Sequence, residues 1–296
     1  MAGLASDPTI SGQREKRQLK NQMNNKNIKL PSVEEMLQSG VHFGHQVKRW
    51  YPVMAKFIYA VENKSHIIDL YKTSELLAKS CGFLYGVAKS GKQIVIVGTK
   101  RQASLAVEKY ARECGSLFVN QRWLGGTFTN FDSIRSSWLE LQRLEKGKAA
   151  NAFLKYTKKE QLLIERKTEK LNLIVGGIQN MEKFPGAVIV VDVKKEATAV
   201  HEANAYNIPV VGIVDTNSNP KNINYVIPAN DDAIKSIDLL LSVLSSAIKL
   251  GYEDHKKELE KPAEKPVEKI SAPKVKAVKV SKVEKITKTA KTKKSK

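Results

Sequence analysis

Cysteine is nearly absent from this 296-residue sequence. Only Cys81 and Cys114 occur, and they form no C-x-x-C pair. Their spacing argues against a disulfide scaffold and against a cysteine-based zinc site, so each is expected as a small core residue on a helix. Long apolar runs are missing too. The longest candidate, "IDLLLSVLSSAIKLGY" (237–252), is shorter than the roughly 20 residues needed to span a bilayer and is expected as a core-facing helix. Residues 1–30 lack the apolar centre of a secretory signal, and Asp7 and Glu15 count against a transit peptide despite Arg14, Lys16 and Arg17. A soluble cytoplasmic protein with no membrane partner is the expectation. Acidic residues are scarce, 30 against 50 Lys and Arg, for a net charge of +20 and an isoelectric point near 9.7. Such a surplus repels itself in a free monomer and points to a polyanionic partner, nucleic acid before an anionic membrane.

Composition divides the chain into three regions. Residues 1–31 form a polar, basic arm, 32–251 a body with ample apolar content for a core, and 252–296 a Lys-rich low-complexity tail. From Glu253 onward there are 15 Lys against 7 acids, a net of +8, so the rest carries +12 and the body is itself basic. The tail has too few apolar residues to offset its ordering entropy. It is expected to be disordered when free and to serve as a polyanion-binding arm.

Within the body, short apolar runs alternate with helical patterns. Strands are expected at His66–Leu70, Gln93–Thr99, "SLFVN", Ala187–Asp192, Pro209–Asp215 and "YVIP"; helices at about 74–90, over "RQASLAVEKYARECG" with a stop at Gly115, after Asp192, and at about 231–250. Val/Ile-rich strands alternating with helices imply βαβ units and a parallel sheet covered on both faces. The expected fold is a three-layer, Rossmann-like α/β body. One segment, about 132–175, breaks the rhythm. Ile134, Trp138, Leu141 and Leu144, then Ile164, Thr168, Leu171 and Val175, recur at helical spacing on either side of "EKGKAANAF", which predicts an inserted helical hairpin.

No familiar catalytic set emerges. Gly98, Thr99, Lys100 and Arg101 lie between a strand and a helix start, an attractive place for phosphate, but neither G-x-x-x-x-G-K-[ST] nor G-x-G-x-x-G is present. Asp192 and Asp215 end two strands expected to be neighbours, at the sheet edge where ligands gather. They are candidates for a structural Mg²⁺ or for a Mg²⁺-dependent phosphotransferase or phosphatase site; equally, each could cap a turn or helix. No other cofactor is expected. "DTNSNP" (215–220) fails as a calcium loop, since Pro220 replaces the required Gly. "HFGH" (42–45) has no further Cys or His beside it, and no metal site is expected there. "HQVKRWYPVMAKF" (45–57) interleaves cations with aromatics, a mixture suited to phosphate contact and base stacking. Its Lys48, Arg49 and Lys56 are taken as phosphate contacts and Phe57 as core.

"SGVHFGHQ", "NKSHIIDLYKT", "IVIVGTKRQA", "FVNQRWLGGTFTNF", "AVIVVD", "IPVVGIVDTNSNP" and "YVIPANDDAIKSI" occur in this order. Together they resemble the S2 family of small-subunit ribosomal proteins, over about residues 33–250, with a hairpin similar to the bacterial type. The resemblance implies a flavodoxin-like parallel sheet and a non-enzymatic, cytoplasmic ribosomal protein. It implies contact with 16S-type rRNA and neighbouring small-subunit proteins near the head–body junction, and docking of the large mRNA-binding ribosomal protein. Lys48, Arg49, Lys56, Lys100, Arg101, Arg122 and Arg135 are the candidate rRNA contacts. In "VNQRWLGGTFTNF", Gly125 and Gly126 are expected to permit a sharp turn, with Trp123, Leu124 and Phe128 anchoring it in the core and Arg122 facing outward. A free regulatory RNA-binding protein is the remaining non-enzymatic alternative.

Overall fold

The computed structural model describes residues 28–181 and 183–260; the expectations for the N-terminal arm up to residue 27 and for residues 261–296 lie outside the described residues. Helix α1 (Val33–Gln38) opens the body, with Ser32 and Glu35 forming a reciprocal capping box. A three-stranded antiparallel sheet follows, built from β1 (Phe43–Gln46), β2 (Ile58–Glu62) and β3 (Ser65–Ile68) in the order β1-β3-β2. The β2–β3 turn is made by Asn63 and Lys64, both at positive φ (47° and 64°), the torsions that match the twist of a tight hairpin.

The remaining elements run α2 (Leu70–Lys89), β4 (Ile94–Val97), α3 (Arg101–Cys114), β5 (Leu117–Val119), α4 (Phe131–Ala149), α5 (Lys158–Val175), β6 (Ala187–Val191), α6 (Ala197–Ala205), β7 (Val210–Val214), β8 (Tyr225–Pro228) and α7 (Ile234–Glu260). Strands β5-β4-β6-β7-β8 form one parallel sheet. Numbered from its first strand the order is 2-1-3-4-5, the doubly wound arrangement whose switch point falls between β4 and β6. The three-layer expectation therefore holds. One strand is reassigned: the His66 segment pairs antiparallel in the small sheet and takes no part in the parallel one.

Burial on both faces explains the unbroken Val/Ile runs. Every residue of β4, β6 and β7 is buried, and their side chains alternate between two cores. Ile94, Ile96, Ala187, Ile189 and Val191 pack with α2, α3 and α7, including Leu84, Val107 and Leu244. Val95, Val97, Val188 and Val190 face Trp123, Phe128, Ile134, Trp138 and the α6 residues Ala199 and Ala203. Burying each such Val or Ile stabilises the fold by about 1.5–3 kcal/mol before entropy is counted. Cys81 on α2 and Cys114 on α3 are both buried and free, and burial pushes the Cys81 thiol up to about 12. Gly115 ends α3 in the left-handed conformation, φ 73°.

Helices α4 and α5 pair as the hairpin, with Ile134, Trp138, Leu141 and Leu144 buried on α4. Ion pairs Lys167–Glu140 (2.9 Å) and Lys148–Glu165 (3.2 Å) tie the helices together, and Thr157 and Glu160 cap α5 reciprocally. Of α5 only Val175 is fully buried. Helix α7 starts at Ile234 and runs to Glu260, beyond the residue 252 at which the tail is expected to begin. Among the described residues, no helix is long and apolar enough to cross a membrane.

Candidate functional site

The C-terminal ends of the parallel strands gather one dense polar cluster. Asp192 follows β6, Asp215 follows β7, and Asp231 and Asp232 follow β8. Lys100 arrives from the β4–α3 junction and His45 from β1. The Lys100 ammonium lies 2.8 Å from Asp231, 2.5 Å from Asp232 and 3.2 Å from Asp192. His45 Nδ1 is 3.0 Å from Asp215 Oδ2, and its Nε2 is 3.3 Å from Asp232 Oδ2. Backbone bonds lock β1 against this edge: the His45 N–H donates to Thr216 Oγ1 (2.8 Å), and the Tyr51 N–H to the Thr216 carbonyl (2.7 Å).

The electrostatics follow from burial. Asp192, Asp215 and Asp231 are 8%, 1% and 0% exposed. Burial, with the charges of Asp192 and Asp215 beside it, pushes the Asp231 carboxyl up to about 7 against the pull of Lys100. Burial would lower the Lys100 ammonium, but its hydrogen bonds to Asp231 and Asp232 outweigh that and hold it above the usual lysine value. A hydrogen bond to Asp215 raises the His45 imidazole, with burial opposing it.

The two acids singled out by sequence do different jobs. Asp192 accepts from the Lys195 N–H at 3.0 Å, a turn-capping bond, and pairs with Lys100. Asp215 accepts from the Thr216 N–H and hydroxyl and joins His45, Asp231 and Asp232 in a group whose ligand atoms all lie within 4.8 Å of one another. The sequence reading missed Asp231, Asp232 and the role of His45. His45 lies 170 or more positions before Asp215, Asp231 and Asp232 in sequence, and only the β1 docking and the parallel crossovers unite them.

The aromatic turn is anchored in the core as expected, and it is also held by a buried acid that the sequence did not point to. Trp123 and Phe128 are buried and meet edge to face at 5.1 Å. Glu202 of α6, 4% exposed, is aimed beneath them. Its Oε1 accepts from Gly126 N–H (2.8 Å) and Trp123 Nε1–H (3.3 Å), and its Oε2 from the N–H groups of Phe128 (2.9 Å) and Thr129 (3.4 Å). Gly126 adopts φ 94°, whereas Gly125 has no positive φ, so only one glycine of the pair is conformationally required.

Lys48, Arg49, Lys56, Arg101, Arg122 and Arg135 are all exposed. Lys48, Arg49 and Lys56 sit on the short 3-10 segments Val47–Arg49 and Pro52–Phe57, beside half-exposed Trp50 and buried Phe57. Arg101 starts α3, Arg122 precedes the aromatic turn, and Arg135 lies in the first turns of α4. Lys100 does not belong with them: its side chain is 16% exposed and its charge is spent on three carboxylates.

The chain is a basic, three-layer α/β protein built on a doubly wound parallel sheet, with exposed cations on its surface. Residues 36–251 match the family described as ribosomal protein S2, and the chain belongs to that family. It is 44% identical over 220 residues to the small ribosomal subunit protein uS2c of Cyanophora paradoxa, covering 74% of this chain and 94% of that protein. It is 44% identical over 227 residues to the uS2c of Guillardia theta (76% and 97%). The small ribosomal subunit protein uS2 of Geotalea uraniireducens is 46% identical over 217 residues (73% and 85%). Membership makes this a non-enzymatic, ribosome-associated protein and sets aside the phosphotransferase reading.

Proposed function

We propose that the protein is a structural constituent of a bacterial-type small ribosomal subunit, holding folded 16S-type rRNA through its exposed cations near the head–body junction. The observation that carries this reading is the separation of charge. Lys100 is held at the sheet edge by Asp192, Asp231 and Asp232, whereas Lys48, Arg49, Lys56, Arg101, Arg122 and Arg135 are exposed at the surface. Surface cations of this kind neutralise phosphates and position an RNA without reading its sequence. The α4–α5 hairpin supports a second role, docking neighbouring proteins, because Leu139, Leu162, Leu163 and Leu173 are 46–61% exposed on it. The large mRNA-binding ribosomal protein is the proposed client, and the cytoplasm the proposed compartment.

Sucrose-gradient sedimentation of tagged protein tests the reading. Co-migration with 30S particles in stoichiometric amount is expected. Persistent absence from them would instead favour a free regulatory RNA-binding protein. Ribosomes carrying the tag only inside an organelle would overturn the proposed compartment.

A further inference from the structure

We propose that Phe184 and Tyr206 form a stacking platform for an unpaired nucleotide of small-subunit rRNA, on the amino edge of the parallel sheet. This is the edge opposite the Lys100 cluster. Gly91 and Lys92 precede β4, residues 183–186 precede β6, and residues 206–209 precede β7. These three connections line a cleft of about 690 Å³, within the size range of ligand-binding clefts. The Phe184 and Tyr206 ring centroids lie 4.8 Å apart, and both residues are exposed despite their size.

The platform is held from within. Phe184 meets Phe131 at 5.5 Å and Phe128 edge to face at 6.2 Å, so rings of the core set its place. Tyr206 closes α6, its N–H donating to the carbonyls of Glu202 (3.3 Å) and Ala203 (3.2 Å). The neighbouring connections are clipped together as well. The Gly186 N–H donates to the Gln93 carbonyl (2.7 Å), and the Tyr252 hydroxyl to the Lys92 carbonyl (3.1 Å). An aromatic surface already ordered in this way loses little further entropy when a base lands on it.

Charge selects the occupant. Among the described residues, none that lines the cleft is acidic, and its two lysines, Lys92 and Lys183, are exposed and form no ion pair. Rings flanked by unpaired ammonium groups suit a single-stranded nucleic acid: the rings take base faces and the cations take phosphates. A duplex keeps its base faces inside its own stack and cannot use the platform. An apolar protein surface would desolvate both ammonium groups and leave them unpaired. The source of the RNA rests on the ribosomal reading; the stacking chemistry does not. Arg101 and Arg122 follow β4 and β5 at the other edge, so the platform engages a second, separate segment of the rRNA.

The chemistry is tested on the purified full chain, titrated with a short dye-labelled oligo(U) strand and with an RNA duplex of equal length. Tyr206→Ala should weaken single-strand binding about 5-fold or more and leave duplex binding unchanged. Tyr206→Phe should retain wild-type affinity and Tyr206→Leu should not. Phe184→Leu, which keeps an apolar side chain against the core, should behave like Tyr206→Ala. Lys92→Gln should lower the slope of log affinity against log salt by about 0.7. Circular dichroism melts separate lost stacking from lost folding. Unchanged oligo(U) affinity in Tyr206→Ala, or an equal loss on the duplex, would overturn the proposal. The source is tested in cells with Tyr206→p-azidophenylalanine, which on irradiation should crosslink to one segment of 16S-type rRNA. Crosslinks to mRNA alone, or none from a chain that sediments with 30S particles, would overturn the rRNA assignment and leave the ribosomal reading standing. A chain that stacks oligo(U) yet never enters 30S particles would overturn the ribosomal reading and the rRNA source together.

Discussion

The carboxylate of Glu202 accepts the backbone N–H of Gly126 at 2.8 Å, across 76 residues of sequence. With its bonds to Trp123, Phe128 and Thr129, this one side chain holds both arms of the turn that leads into α4. Glu202→Gln keeps the shape but replaces one accepting oxygen with an NH₂ group. It should lower stability by about 2–3 kcal/mol, since a hydrogen bond to a charged group is lost and a buried N–H is orphaned. Urea unfolding reads the loss, and a change below about 0.5 kcal/mol, within the usual range of surface substitutions, would show that the turn stands without Glu202.

Where the hairpin returns to the sheet, tolerance should be lower still. A Cβ built on Gly177 would lie within van der Waals overlap of the Phe118 carbonyl oxygen, at 2.1 Å. That oxygen belongs to the backbone of β5 and cannot swing aside as a side chain would. Gly177→Ala is expected to cost about 1–3 kcal/mol or more through overpacking. Gly125→Ala, at a position with open space and no positive φ, should be nearly neutral in the same thermal-melt series. Equal effects at the two sites would refute the assignment.

Much of this architecture was legible because it is periodic. The Val/Ile runs of β4, β6 and β7 are buried on both faces and so read as unbroken apolar segments. The α4 stripe read from spacing, Ile134, Trp138, Leu141 and Leu144, is the set of buried residues on that helix. What escaped was non-periodic. Strand β2 exposes four of its five residues, so its short apolar stretch carries no alternation of buried and solvated positions, and the Asn63–Lys64 turn lacks the glycine that usually marks a hairpin. The edge cluster was half visible: Asp192 and Asp215 sit at strand ends, but the positions of Lys100, Asp231 and His45 depend on crossovers that no local pattern encodes. Glu202 looked like any surface acid on a helix, because a carboxylate buried against backbone N–H groups leaves no trace in spacing.

His66 provides a pH signature. It is 4% exposed on β3, packed 5.2 Å from the Trp50 ring, and neither ring nitrogen has a hydrogen-bond partner among the described residues. Burial holds its pKa below 6.5, with the Asp215 charge opposing. The unfolded chain therefore takes up a proton near the ordinary histidine value while the native state does not. The stability this group contributes is present above that value and is lost as pH falls through it towards the lower folded pKa. Asp231, raised to about 7, acts in the opposite sense, so the informative quantity is a difference. The stability gap of His66→Phe relative to wild type should shift in favour of the variant between pH 7 and pH 5. A gap independent of pH would mean that the native imidazole protonates normally.

Lys100 and Arg122 are close in charge and opposite in expected behaviour. Arg122 is exposed, so Arg122→Gln should leave unfolding unchanged while reducing the slope of log affinity against log salt for small-subunit rRNA by about 0.7–0.9, the contribution of one released counterion by analogy with DNA and single strands. Lys100 sits among Asp192, Asp231 and Asp232 with a side chain 16% exposed. Lys100→Gln removes the cation shared by buried Asp192 and Asp231 and by half-exposed Asp232, and breaking a buried pair from one side costs about 3–5 kcal/mol. It should lower the melting temperature sharply and leave the salt slope intact in the fraction that remains folded. If Lys100→Gln instead melts like wild type and loses salt dependence, Lys100 reaches phosphate and the inward-facing cluster does not hold it.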